Sequence, residues 1–256
     1  MKEQVYKDER PPEHFQRFHE RVRRGRPAWA YEVVRLVLTP YLGLFFRTRA
    51  IDSHKVPTEG AVIIAPNHFS FLDHFFVAVY MRRKVQFLAK SQLFKPPMQF
   101  IYSHGGVFPI LRGRRDDEAF RTAHAVLGRG DIVVMYAEGG RSRTEELQPK
   151  PQPGIGRLAL ETGAPVVPIA VHGSAKVRNG RRGEFPKVTV QYGDPIRFER
   201  VENPTRDQQM AVAEEIFGEI RVLHSGLETL GRKGVVQRVR EQRRLERRGK
   251  KRTATA

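Results

Sequence analysis

The chain has 256 residues, no cysteine and a formal charge of +18 at pH 7. That length suits one sizeable core with or without appendages, and the lack of cysteine excludes disulfides, thiol nucleophiles and cysteine-held zinc or iron–sulfur groups, which fits a reducing compartment. So basic a chain implies an anionic partner, whether nucleic acid, a membrane surface or a phosphorylated substrate.

In chain order, residues 1–26 read as a polar, partly helical lead-in, and the opening "MKEQVYKDERPPEHFQRF" is charged where a signal peptide would be apolar. The most apolar stretch is "AWAYEVVRLVLTPYLGLFF", residues 28–46, interrupted by Glu32 and Arg35 with Pro40 inside it. A spanning helix needs about 20 predominantly apolar residues, and the uncharged part, 36–46, is too short. Trp29, Tyr31 and Tyr41, with the arginines between 21 and 26 in front, suit an interfacial or re-entrant anchor, while a core helix kinked at Pro40 accounts for the same pattern. Beyond residue 50 the pattern changes. Short β-branched runs at 61–66, 85–90, 107–111, 131–137, 166–173 and 188–193 alternate with helical candidates at 70–82, 115–128 and 154–163. This predicts an α/β fold, a largely parallel central sheet flanked by helices, with ligands beyond the carboxyl ends of its strands. Residues 203–230 predict an amphipathic helix capped by Thr205, with Met210, Ile216, Phe217, Ile220 and Leu223 facing inward. From Arg232 onward eleven Lys/Arg face only Glu241 and Glu246, leaving +9 on the tail and +9 on the rest of the chain. Such a tail, low in apolar residues, is expected to be disordered in isolation. The expected organisation is a lead-in with an apolar membrane-association segment (1–50), an α/β domain (51–231) and a polybasic tail (232–256).

The stretch "NHFSFLDHF" follows the first β-branched run and sets His68 and Asp73 five positions apart. On one helix these side chains would point about 140° from each other and could not meet. If His68 instead precedes the helix, Ser70 can cap it and Asp73 can reach back to fix the imidazole tautomer and stabilise an imidazolium. Ser70-x-x-Asp73 also reads as a capping-box variant that serves stability alone, and His74 reads as structural. Further along, Arg112 ends the run "GVFPILR" and could hold a phosphate bidentately, with Arg114 and Arg115 as competitors. In "YAEGGRSRT", Gly139 and Gly140 could let backbone N–H groups converge on an anion, Arg141 adds charge, and Glu138 could pair with an arginine or hold a substrate hydroxyl. Those glycines could equally serve only a turn. Lys90 is a further phosphate candidate, or a lysine snorkelling at the sheet edge. Pro168, inside "VVPIAVHG", suggests a bend or an edge position.

In this order and at these separations, "NHFSFLD", "GVFPILR", "EGGRS" and "VVPIAV" resemble the four blocks of the lysophosphatidic acid acyltransferase family of glycerolipid acyltransferases, over about residues 50–200. The resemblance implies that His68 is a general base and Asp73 its orienting carboxylate, with Arg112, Glu138, Gly139 and Arg141 holding the phosphate and glycerol of a lysophospholipid acceptor. It implies an acyl thioester of coenzyme A or acyl carrier protein as co-substrate, with no other cofactor and no metal. The family more usually carries F-P-E-G-T-R-S where this chain has "YAEGGRS", a departure that bears on acceptor identity. Glycerol 3-phosphate or another lysophospholipid is the alternative acceptor, and a non-enzymatic basic module binding membrane or nucleic acid is the alternative class. The expected location is the cytoplasmic face of an anionic membrane, peripheral or monotopic, with no nucleic-acid partner.

Overall fold

A computed structural model describes residues 8–111, 116–142, 144–177, 183 and 185–253. The β-branched runs fold into strands β2 (Val62–Pro66), β3 (Val85–Lys90), β4 (Val107–Ile110), β5 (Ile132–Val134), β6 (Val166–His172) and β7 (Thr189–Tyr192), preceded by β1 (Arg49–Ile51). They form one seven-stranded sheet in the order β1-β7-β6-β2-β5-β3-β4. Strands β2 to β6 run parallel, and β7 is antiparallel to β6 with β1 parallel to β7. This is the expected largely parallel α/β sheet. The short β1 carries too little pattern to stand out from the sequence.

Both faces of the sheet are covered, so its central strands are apolar without alternation. Val62 and Ile64 of β2 point to one layer, and Ile63 and Ala65 to the other. The first layer holds α2 (Trp29–Phe45) and α3 (Asp73–Ala78); the second holds α5 (Asp117–Gly128), α6 (Pro153–Thr162) and α7 (Arg206–Thr253). Val62, Ile63 and Ile64 are fully buried, and each such side chain stabilises the fold by roughly 1.5–3 kcal/mol. At Gly156 a Cβ would lie 1.9 Å from the Gln209 carbonyl oxygen, so only glycine lets α6 and α7 approach so closely. Helix α1 (Glu13–Arg24) buries Phe15, Phe18 and Val22, and α4 (Met98–His104) lies between β3 and β4.

Three expectations need correction. The helix expected over 70–82 is shorter, Asp73–Ala78, because Ser70 turns back on itself, its Oγ accepting from Leu72 N at 3.2 Å. Pro168 lies in an interior strand; its carbonyl accepts from Gly193 N of the β7 side, so the donor it lacks would have faced β7 where their ladder is only beginning. The tail expected to be disordered in isolation continues α7. The helix starts as expected, with Gln208 N bonded to Thr205 Oγ1 and Thr205 N to Gln208 Oε1. It breaks at Gly231 (φ 63°, ψ 174°) and resumes to Thr253. Val235 is buried there against Ile51, Ala170 and Leu227, Arg232 donates to Thr189 Oγ1 and to the carbonyls of Arg47 and Val188, and Arg243 pairs with Asp52. These contacts supply the burial that a tail in isolation lacks.

Candidate active site

The site lies at the carboxyl edge of the parallel strands, where β2 ends and the chain turns into α3. Asn67, fully buried, crosses to the neighbouring strand β6: its Nδ2 donates to the Val171 carbonyl at 3.0 Å and its Oδ1 accepts from Val171 N at 2.7 Å. An amide side chain that supplies both a donor and an acceptor replaces the ladder bonds that β2 gives up as it leaves the sheet. The next residue is thereby held at a fixed point over the edge.

That residue is His68, off the helix as its spacing from Asp73 requires. Its Nδ1 lies 2.9 Å from Asp73 Oδ2, with His68 5% exposed and Asp73 fully buried. The same carboxylate oxygen accepts from Phe69 N and from Ser70 N, both at 2.7 Å. Ser70 does not cap α3, whose N-cap position is Leu72; the turn and the pair are instead one arrangement, since the carboxylate that closes the turn also orients the imidazole. With Nδ1–H donating to Asp73, the lone pair is left on Nε2, the nitrogen able to accept a proton.

The second wall is the loop after β5. Glu138, 2% exposed, sends Oε1 to His68 N at 2.7 Å and Oε2 to Gln148 N at 2.9 Å. Burial pushes its carboxyl up to about 7, against the pull of those two amides. Ser142 N completes the hold by donating to the His68 carbonyl at 2.8 Å. Both backbone polar groups of His68 are therefore bound by this loop, and its ring by α3. Gly139 sits at φ 67°, a Cβ there would lie 2.5 Å from Gln152 Cγ, and its N–H donates to the Tyr136 carbonyl. Beside them the Tyr136 ring stacks on the His68 imidazole, with centroids 4.0 Å apart and planes inclined by 22°.

Of the residues expected at the site, His68, Asp73, Glu138 and Gly139 come together. Arg141 is half-buried one residue before Ser142, and it has no acidic partner among the described residues. Lys90 ends β3, two strands from β2 and so roughly 10 Å along the same edge. Arg112 lies outside the described residues, as do its competitors Arg114 and Arg115. The sequence reading missed Asn67, Tyr136 and Ser142, which act through contacts between segments far apart in the chain. Its structural reading of His74 now has a partner, the Tyr136 hydroxyl at 2.9 Å.

A buried imidazole paired with a carboxylate at the carboxyl edge of a parallel sheet stands where ligands of such sheets bind, and it is chemically able to take up and return a proton. The family profile described as Acyltransferase matches residues 47–172, a span that contains this whole arrangement. The human 1-acyl-sn-glycerol-3-phosphate acyltransferase beta is 30% identical over 156 residues, 59% of this chain and 54% of that protein. The chloroplastic 1-acyl-sn-glycerol-3-phosphate acyltransferase LPAT1 of Arabidopsis thaliana is 29% identical over 179 residues, 67% of this chain and 50% of that protein. The crystal structure of the 1-acyl-sn-glycerophosphate acyltransferase PlsC from Thermotoga maritima shares the fold, with a TM-score of 0.54 at 21% identity, covering 75% of this chain and 82% of that one. Over residues 47–172, just under half of its length, the chain matches the acyltransferase profile, and it is similar there to the 1-acyl-sn-glycerol-3-phosphate acyltransferases. It spans about half the length of the curated relatives it matches.

Proposed function

We propose that the chain transfers a fatty acyl group from an acyl thioester, carried by coenzyme A or acyl carrier protein, to the free hydroxyl of lysophosphatidic acid, giving phosphatidic acid. His68 Nε2 takes the hydroxyl proton as that oxygen attacks the thioester carbonyl; the tetrahedral adduct collapses, the C–S bond breaks, and the thiolate leaves and is reprotonated. Asp73 holds the imidazole and balances its transient charge. A base so placed contributes typically 10²–10⁴-fold. The observation that carries this reading is the 2.9 Å contact between His68 Nδ1 and Asp73 Oδ2 on a histidine held off the helix. Arg141, Arg112 and Lys90 are assigned to the phosphate groups. Glu138 and Gly139, which the resemblance gives to the acceptor, act here by shaping the loop, because the Glu138 oxygens already accept backbone amides and the Gly139 N–H is spent on Tyr136.

The test supplies purified protein with labelled acyl-CoA and a panel of acceptors. Transfer to lysophosphatidic acid that disappears in His68→Ala is expected. Transfer only to glycerol 3-phosphate or to another lysophospholipid would replace the acceptor, an alternative favoured by Ala137 and Gly140 in the third block. A protein that keeps its function in His68→Ala but loses it on deletion of 232–256 would be a non-enzymatic basic module instead.

Membrane association at the cytoplasmic face, peripheral or monotopic, belongs to the same reading. No helix among the described residues is long and apolar enough to cross a membrane. Helix α2 nevertheless turns Tyr31, Leu38 and Leu42 toward the core while Trp29, Val33, Leu36, Val37 and Leu44 stand exposed along its other side. An apolar stripe of this kind suits the headgroup–acyl boundary. The basic continuation of α7, packed along β1 and β6 through Val235, is the second candidate surface. Flotation with liposomes separates them: binding through α2 survives high salt and is lost in Leu36→Glu/Leu44→Glu, whereas binding through the tail is lost in salt.

A further inference from the structure

Asp73 holds the His68 imidazole by one atom, Nδ1. That hydrogen bond fixes the direction of the nitrogen but does not by itself set the tilt of the ring about the Nδ1···Oδ2 line, and tilting swings Nε2 away from any acceptor hydroxyl. The Tyr136 ring opposes that tilt, stacked on the imidazole at a centroid separation of 4.0 Å and 8% exposed. Tyr136 is itself held, since its hydroxyl lies 2.9 Å from Nδ1 of His74. His74 in turn meets Phe75 and Phe87 edge-on, with centroids 5.8 Å away in both cases. Asp73 and His74 are adjacent in the first turn of α3. Two supports of the imidazole therefore start from one helical turn, Asp73 acting directly and His74 through Tyr136.

We infer that Tyr136 is a positioning residue for the transfer: its ring keeps the His68 imidazole in the plane that aims Nε2, and its hydroxyl, tied to His74, keeps that ring in place. The role presupposes the acyl transfer proposed above. The aromatic face has a second effect, because an imidazole that gains a proton becomes a cation lying over the ring's electron-rich surface. Among the described residues, the titratable groups around His68 include Asp73 and His74 on α3, and Tyr136 and Glu138 beyond β5. His224 of α7 touches the ring of Phe69 at 5.4 Å, with His172 of β6 behind it. In the family pattern quoted above a phenylalanine stands where this chain has Tyr136, so the hydroxyl tie to His74 is a feature of this chain.

Steady-state kinetics with acyl-CoA and the acceptor over a range of pH test this in three variants. Tyr136→Leu removes the stack, and kcat should fall about 3- to 30-fold with KM unchanged while the acid limb of the pH profile moves to lower pH, since the imidazolium has lost its partner. Tyr136→Phe keeps the stack and loses the hydroxyl tie; kcat should fall about threefold with KM and the acid limb at wild-type values. His68→Ala serves as the control for the reaction itself: transfer that survives it overturns the acyl-transfer reading whatever Tyr136 does. With that control silent, a Tyr136→Leu enzyme whose kcat and acid limb are both unchanged, or whose change is confined to KM, overturns the positioning role. If Tyr136→Leu does not fold, Tyr136→Phe decides the matter, and wild-type kcat in that variant rejects the tie to His74.

Discussion

Two carboxylates are buried at this site and they do different things to the same residue. Asp73 gathers three N–H donors on one oxygen, the His68 ring nitrogen and the amides of Phe69 and Ser70, while its Oδ1 has no hydrogen-bond partner among the described residues. Glu138 divides its oxygens between two amides, His68 N and Gln148 N, and touches no part of the ring in doing so. One carboxylate orients the imidazole and the other holds the backbone that carries it. The difference teaches that a general base needs two separate constraints, on where its Cα sits and on where its nitrogen points, and that loss of each should leave a different trace.

The largest effect is expected on the ring side. Asp73→Asn keeps an oxygen for the Phe69 and Ser70 amides, so thermal stability should change little. The neutral amide no longer stabilises an imidazolium and can favour the wrong tautomer, so kcat should fall on the order of 10³-fold with KM nearly unchanged. Retention of wild-type kcat within a few-fold would remove Asp73 from the mechanism and leave Glu138 as the more important of the two.

Glu138→Ala should show the reverse pattern. It orphans two buried amides at once, each at about 1–3 kcal/mol, so the loss appears first in the unfolding free energy. The fall in kcat should be smaller than in Asp73→Asn, because Ser142 N still holds the His68 carbonyl. Denaturant unfolding beside kinetics on the same preparation checks both. A Glu138→Ala protein as stable as wild type would show that the amides find other acceptors.

The two carboxylates also differ in how far they could be read from the sequence. His68 and Asp73 are local, so their spacing alone said that, if the two meet, the histidine must leave the helix and meet the aspartate across one turn. Glu138 reaches His68 over 70 positions and Asn67 reaches Val171 over 104, and no period or spacing encodes such contacts. The same division holds for the fold. Strands β2 to β6 are legible because parallel strands buried on both faces are largely unbroken apolar runs, and the antiparallel β7 shows through its β-branched residues from Val188 to Val190. Helix α4 escapes notice between Pro96–Pro97 and Gly105–Gly106, which read as loop punctuation around only seven residues. The end of α7 was hidden by its charge, since Val235, Val236 and Val239 are few among the arginines yet enough to pack it on β1 and β6.

The smallest effect is a slope with pH, and it concerns Glu138 through its pKa of about 7 against an ordinary value of 4.5. Between those two values the native protein holds a proton that the unfolded chain has released, so the unfolded state binds fewer protons and stability falls as pH rises. The contribution is fully present below about 4.5, declines by at most about 1.4 kcal/mol for each pH unit through the window, and is gone above about 7. Glu138→Gln carries a neutral side chain of the same shape at every pH, so it should lack this component. Its stability relative to wild type should therefore rise from pH 5 to pH 8, as measured by denaturant unfolding at unit intervals. Parallel curves would mean that the His68 and Gln148 amides outweigh burial and keep Glu138 ionised throughout, which would make it a fixed negative charge like the one assigned to Asp73 in the mechanism.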